Sequence, residues 1–362
     1  MNDIPASTVI HPPLLTADLP GLGGRIRTVP EDFEVEEIPA YQPCGSGDFL
    51  FLWIEKRDLG AEYFVRQVAK RLGIAAADIG TAGLKDRHAV TRQMISIPVH
   101  VEERLARLDG DGIRLLQIGK HTNKLRPGHL HGNRFRILIR DVADASARTA
   151  ILERLEQHGL PNYYGPQRFG HDGETLHAGL AMLRGQKPAG GSDWRKPFLR
   201  KLALSAAQSG LFNRCLGQRL SDGLYRRVLT GDVLAKWPFG GMFVAEDAVR
   251  EQERFDAREI VTAGPMFGRK MFAAAGAAAE REAIVLQEFD LTTASFSGFG
   301  KLLQGTRRHN VVYPTNLSAA MEENGLRLSF ALPAGSYATV LLRELMKIRL
   351  DDEDADSTAA LA

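Results

Sequence analysis

The chain has 362 residues, 44% of them hydrophobic and 25% charged, with a formal net charge of only +2. That length exceeds a single ordinary core and points to about two domains, and the composition excludes a disordered or fibrous chain. No run of about 18 apolar residues occurs, so no membrane span is expected, and Met1–Pro13 lacks the basic stretch and apolar core of a secretory leader.

In chain order, FLFLWIEK (49–56) reads as a strand buried on both faces. AEYFVRQVAKRLG follows as a helix: Phe64, Val68 and Leu72 repeat every four residues, and Gly73 stands where a helix C-cap glycine belongs. GTAGLKDRHAVTRQMISIPV then divides into a loop and a strand, which puts Asp86 on the loop entering that strand. NRFRILIR (133–140) alternates, with Asn133, Phe135, Ile137 and Ile139 on one face and Arg134, Arg136 and Arg140 on the other. A helix is predicted over 148–158, ending near Gly159. The Gly/Pro/aromatic-rich PNYYGPQRFG (161–170) marks a domain boundary. From about 161 to 307 helical patterns dominate, over 174–184, 197–220 and an alanine-rich run near 272–287, with loops at 188–194 and 236–243. Strand signals return near 310. LRLSFAL (326–332) alternates Leu326, Leu328, Phe330 and Leu332 on one face, and LPAGSYATVLLRELM turns into a helix that Gly335 or Ser336 starts. Strands at both ends and a helical middle predict a discontinuous α+β domain carrying an insertion.

Charge is unevenly spread. Residues 112–140 hold seven Lys/Arg, among them Lys120, Lys124, Arg126, Arg134 and Arg136, and no acid, with His121, His129 and His131 interspersed. Five carboxylates in Asp351–Asp356 balance them and read as a disordered, solvated tail. A basic body with one dense basic stretch fits a polyanion partner. The histidines have neither zinc-finger spacing nor a nearby Cys pair, and HExxH, P-loop and GxSxG motifs are absent, so no metal site is expected. Cys44 and Cys215 form no CxxC pair. Each reads as a small buried hydrophobe, and a reducing cytoplasm is the expected compartment.

On pattern alone, Asp86 in GLKDRHAVTRQ is either a solvated turn residue or a carboxylate at a loop mouth, able to act as nucleophile or base. The rings Phe33, Phe135 and Tyr337 lie among polar or basic residues. They are either core residues or rings of the kind that hold an unstacked nucleotide.

Five stretches in order, PEDFEVEE (30–37), AGLKDRHAVTRQ (82–93), HTNKLRPGHLHGNRFRILIR (121–140), PNYYGPQRFG (161–170) and LPAGSYATVLLRE (332–344), resemble the tRNA pseudouridine synthase D (TruD) family from near residue 25 to near 345. The resemblance implies a pseudouridine synthase core with a mixed, mainly antiparallel central sheet, formed by 1–160 and 308–350. An inserted TRUD domain would occupy 161–307, and the acidic tail 351–362. It implies isomerisation of uridine 13 in the D-arm region of tRNA, with no cofactor or metal and no obligate protein partner. Asp86 matches the catalytic aspartate, and Phe33, Asn133 and Phe135 match substrate-pocket residues. Arg27 takes the place of a basic pocket residue, and Tyr337 stands where the family often has Phe. The basic residues Lys120, Lys124, Arg126, Arg134 and Arg136 are the expected RNA contacts, and a monomer is expected. The competing classes are an RNA-binding protein without turnover and a metal-dependent nuclease or phosphatase. Turnover in EDTA separates the three.

Overall fold

The computed structural model of the chain describes residues 6–83 and 85–349. Leu84 and the acidic segment from Asp351, read above as a tail, lie outside the described residues. The chain runs through helix α1 (Ala6–Ile10), strands β1 (Phe33–Pro39) and β2 (Phe49–Arg57), helix α2 (Ala61–Leu72), strands β3 (Gly80–Thr81), β4 (Val90–Pro98), β5 (Ile113–His121) and β6 (Leu130–Ile139), and helix α3 (Arg148–His158). It continues through β7 (Leu160–Pro161), α4 (Glu174–Leu183), α5 (Pro197–Ser221), β8 (Val233–Lys236), β9 (Met242–Val244), α6 (Ala248–Asp256), β10 (Ile260–Met266) and α7 (Gly276–Glu288). It closes with β11 (Thr306–His309), β12 (Val311–Val312), β13 (Thr315–Glu322), β14 (Gly325–Pro333) and α8 (Ala338–Met346). Two compact units result. One comprises Leu19–Glu156, Pro314–Ala338 and the residues from Leu345; the other comprises the residues up to Asp18, Gln157–Tyr313 and Thr339–Glu344.

The first unit is built on an eight-stranded sheet, counted among the described residues, in the order β13-β14-β6-β1-β4-β2-β5 with β3 beside β4. Only β1 and β4 run parallel; the other pairs are antiparallel, as expected for an α+β fold of this kind. β2 is buried on both faces. On one face Leu50, Leu52 and Ile54 pack with Phe64, Val68 and Leu72 of α2 and with Ile95 and Ile97 of β4. On the other, Phe51 packs with Ala82, Met94 and Leu125. Helix α2 ends as its sequence predicts, with Gly73 in the left-handed region at φ 65°. In β1 the odd residues Phe33, Val35 and Glu37 are the buried ones. Their register partners on β6 are Ile137, Phe135 and Asn133, so these six side chains share one face of the sheet. Gly132 is paired with Pro333 of β14, and a Cβ there would stand 2.2 Å from the Leu332 carbonyl oxygen. Only glycine lets the two backbones approach this closely.

Four sequence expectations change. β6 begins at Leu130 and β5 takes up the first part of the basic stretch. Helix α8 begins at Ala338, so Tyr337 precedes the helix instead of lying in its first turn. In the second unit the helices α4, α5 and α7 form, and α4 and α5 contribute Leu176, Leu180, Leu204 and Leu211 to a core with Phe267 and Phe289. That unit also contains a four-stranded antiparallel sheet, β11-β10-β8-β9, in a region read as mainly helical. Helix α7 starts at Gly276, later than expected: Ala275 is extended, at φ −129° and ψ 164°, and its N–H bonds the Gly231 carbonyl at 2.9 Å. Among the described residues no helix is long and apolar enough to cross a membrane.

Candidate active site

Asp86 sits on the loop between β3 and β4, where the sequence places it. Its carboxylate oxygen Oδ1 accepts a hydrogen bond from the Arg27 guanidinium at 3.0 Å. The Arg27 side chain is 5% exposed and that of Asp86 29%, so the base of the pair is buried and the carboxylate remains accessible. The same guanidinium lies 4.2 Å from the centroid of the Phe33 ring, a cation–π contact. Arg27 adopts φ 59°, a left-handed conformation that costs a non-glycine residue roughly 1–3 kcal/mol and is typical of functional sites.

Several contacts hold Arg27 and Phe33 in place. The Arg25 and Arg140 backbones exchange two hydrogen bonds of 2.8 Å, tying the segment before Arg27 to the end of β6. Asp32, almost wholly buried, accepts two hydrogen bonds from the Arg140 guanidinium at 2.7 and 2.8 Å and one from the Val29 N–H at 3.1 Å. Burial alone would raise the Asp32 pKa; the Arg140 hydrogen bonds and the Val29 N–H outweigh it and bring it below 3.8. This clamp fixes the tight turn that leads into Phe33. The Phe33 ring meets Phe135 edge-on at 6.3 Å, and Phe135 stacks on Phe330 at 5.1 Å. Asn133 lies on the same sheet face as Phe135. Its Oδ1 is buried with no hydrogen-bond partner among the described residues, an acceptor the protein itself leaves unsatisfied. Tyr337 is half-buried, beyond the β14 residues Leu332 and Pro333 that pair with Asn133 and Gly132.

Three polar residues at the base of the loop were given no site role from the sequence. Glu37 and Lys85 form a buried pair with Lys85 Nζ 2.8 Å from Glu37 Oε2. Lys56 is wholly buried and donates to the carbonyls of Leu59, Asp86 and Lys85. A signal was available in strand parity: Glu37 follows Phe33 and Val35, and Lys56 follows Leu50, Leu52 and Ile54, on faces that are otherwise apolar.

The predicted RNA contacts separate. Arg134 pairs with Glu36, and Arg136 lies 3.8 Å from Glu34, on the sheet face opposite Asn133 and Phe135. There they join an alternating network with Arg92 and Glu55. Lys120 pairs with Glu102 at 2.9 Å, and Lys124 donates to the Ala77 carbonyl. The Arg126 side chain has no acid partner among the described residues, and neither does that of Lys124. No group of three or more His, Cys, Asp or Glu side chains comes together as a metal site among the described residues.

Comparison with known proteins gives a consistent result. The family model described as tRNA pseudouridine synthase D (TruD) matches residues 10–189 and 195–345. A tRNA pseudouridine synthase D of Thermus thermophilus is 45% identical over 350 residues, covering 95% of each chain. One of Anaeromyxobacter dehalogenans is 44% identical over 348 residues, covering 95% of this chain and 99% of the relative. The crystal structure of a putative tRNA pseudouridine synthase D from Methanosarcina mazei superposes with a TM-score of 0.77 at 23% identity, covering 97% of this chain and all of that one, and so shares its fold. The chain therefore belongs to the tRNA pseudouridine synthase D (TruD) family.

Proposed function

We propose that this chain is a tRNA pseudouridine(13) synthase, which isomerises uridine 13 in the D-arm region of tRNA with Asp86 as its catalytic carboxylate. The observation that carries the proposal is the Arg27–Asp86 hydrogen bond at 3.0 Å, beside the Phe33 ring, in a chain of this family. The reaction exchanges the N1–C1′ bond of uridine for a C5–C1′ bond; C5 gives up a proton and N1 gains one. Atoms and electrons balance within the substrate, so the chemistry needs no oxidant, reductant or second substrate. Attack at C1′, addition to the base and assisted elimination at the sugar all need a carboxylate oxygen within reach of the nucleotide. Arg27 orients that oxygen by a charge-assisted hydrogen bond. Phe33, Phe135 and Tyr337 form walls that hold the detached uracil while it turns, and Asn133 anchors its edge or the ribose.

The unit that contains Leu19–Glu156 and Pro314–Ala338 holds all six of these residues and is the catalytic one in this proposal. The inserted residues 161–307 grip the body of the tRNA. Lys124 and Arg126 meet phosphates, and Lys120 does so only where RNA competes with Glu102. Arg134 and Arg136 do so only where RNA competes with Glu36 and Glu34. The test is to incubate purified chain with tRNA transcripts in EDTA and map pseudouridine by position. One new pseudouridine at position 13 is expected. Tight binding without product would favour a binder, loss of product in EDTA a metal enzyme, and product elsewhere a different target.

A further inference from the structure

Lys56 poses a problem of cost. It ends the face of β2 on which Leu50, Leu52 and Ile54 are packed into the core, and it is 0% exposed. Placing an ammonium there costs several kcal/mol unless its hydrogen bonds are all made, and an unbranched apolar side chain such as methionine would fill similar space without that cost. The ammonium is spent on backbone. Nζ donates to the Asp86 carbonyl at 2.7 Å, to the Lys85 carbonyl at 3.4 Å and to the Leu59 carbonyl.

Two of those acceptors belong to the peptide planes on either side of the Asp86 Cα. A peptide unit is planar and stiff, so φ and ψ are the only soft backbone angles at a residue. One cation that holds both flanking carbonyls therefore restricts both angles, and with them the direction of the Cα–Cβ bond that carries the carboxylate. Lys56 is itself a residue of β2, and the third acceptor, Leu59, lies two residues beyond that strand, so the loop is referred to the rigid sheet. From the other side, the buried Lys85–Glu37 pair anchors the side chain preceding Asp86 to β1. Arg27 then needs only to set the side-chain torsion of Asp86.

We propose that Lys56 is a positioning residue for the reaction, holding the peptide planes on both sides of Asp86 so that its carboxylate meets the nucleotide in one orientation. This rests on the reading of Asp86 as the catalytic carboxylate. Lys56 touches no substrate; it acts through the backbone of Asp86. A displacement of about 1 Å of a reacting group can cost about a hundredfold in rate, and that is the loss expected here.

The experiment uses the full chain, wild type, Lys56→Met and Lys56→Arg, with full-length tRNA. It reads the single-turnover rate at saturating enzyme, the tRNA Kd and the thermal midpoint. Lys56→Met should lower the rate about a hundredfold while the Kd stays within twofold and the melting transition stays cooperative. Lys56→Arg, which keeps the charge but presents a planar fork to the three carbonyls, should fall between Lys56→Met and wild type with the same unchanged Kd. A plain core role would instead lower the midpoint and leave the rate per folded molecule intact, and that outcome overturns the proposal. So does a wild-type rate in either folded variant. If Lys56→Met does not fold, the rate and Kd of Lys56→Arg decide by the same criteria. A wild-type chain that modifies no tRNA would overturn the catalytic reading together with this one. An active wild type matched by its Lys56 variants overturns this inference alone.

Discussion

At the scale of single residues, the site depends on buried charges that are matched. Asp32 is the clearest case, because it holds the turn into Phe33 through Arg140 and Val29. Hydrogen bonds to a charged group contribute about 1.5–3 kcal/mol, so Asp32→Asn should lower stability by about 2 kcal/mol in urea melts. The folded-state pKa of Asp32 lies below its ordinary 3.8. Its contribution is therefore fully present above about pH 5 and is lost as pH falls from there through the folded value. The gap between wild type and Asp32→Asn should accordingly close on acidification; a gap that stays constant from pH 6 down to pH 3 would contradict the clamp. Much at this scale could be read in advance. The motifs carried Asp86, Phe33, Asn133 and Phe135, Arg27 was placed by its position ahead of Phe33, and the structure brings Arg27, Asp86 and Phe33 into contact. Glu37 and Lys56 were passed over because a charged residue in a strand reads as solvent-facing until its parity is compared with its neighbours, and Lys85 because a lysine in a loop reads as solvated.

At the scale of elements, the basic stretch shows what linear sequence hides. Residues 112–140 contain no acid, yet in space Glu34, Glu36 and Glu102 come from β1 and the segment after β4 to meet Arg136, Arg134 and Lys120. Apart from Arg114 on β5, the cations of this stretch with no acid partner among the described residues lie on the turn between β5 and β6. Its backbone is fixed: the Gly128 N–H bonds the Ala82 carbonyl at 2.8 Å, close to the loop that carries Asp86. The Tyr41 hydroxyl lies 2.6 Å from His129 Nδ1, and the Arg126 N–H also points at that atom. A rigid turn bearing Lys124 and Arg126 suits phosphate contact. Replacing both with Ala should weaken tRNA binding and reduce the slope of log K against log salt by about 1.4–1.8. An unchanged slope would place both side chains away from RNA.

At the scale of the whole molecule, strand patterns at both ends of a helical middle pointed to the α+β class, and the family resemblance implied the mainly antiparallel sheet found in the first unit. The second unit was less legible. Its strand β10, IVTAGPM, is buried throughout but contains Gly264 and Pro265, which read locally as a break. β8 and β9 are four and three residues long, too short for periodicity to register. Their pairing is a tertiary fact. The account of the molecule as an enzyme nevertheless turns on one oxygen pair. Asp86→Asn keeps the shape of the side chain and removes its charge, so tRNA affinity should be retained or slightly strengthened near the RNA phosphates. The amide can neither attack as an anion nor take a proton, and each tenfold loss of rate corresponds to about 1.4 kcal/mol of transition-state stabilisation. The most direct measurement is therefore pseudouridine formed per enzyme by Asp86→Asn at saturating tRNA, alongside its Kd. The account predicts unimpaired binding and a rate at least about a thousandfold below wild type; ready multiple turnover by Asp86→Asn would contradict it.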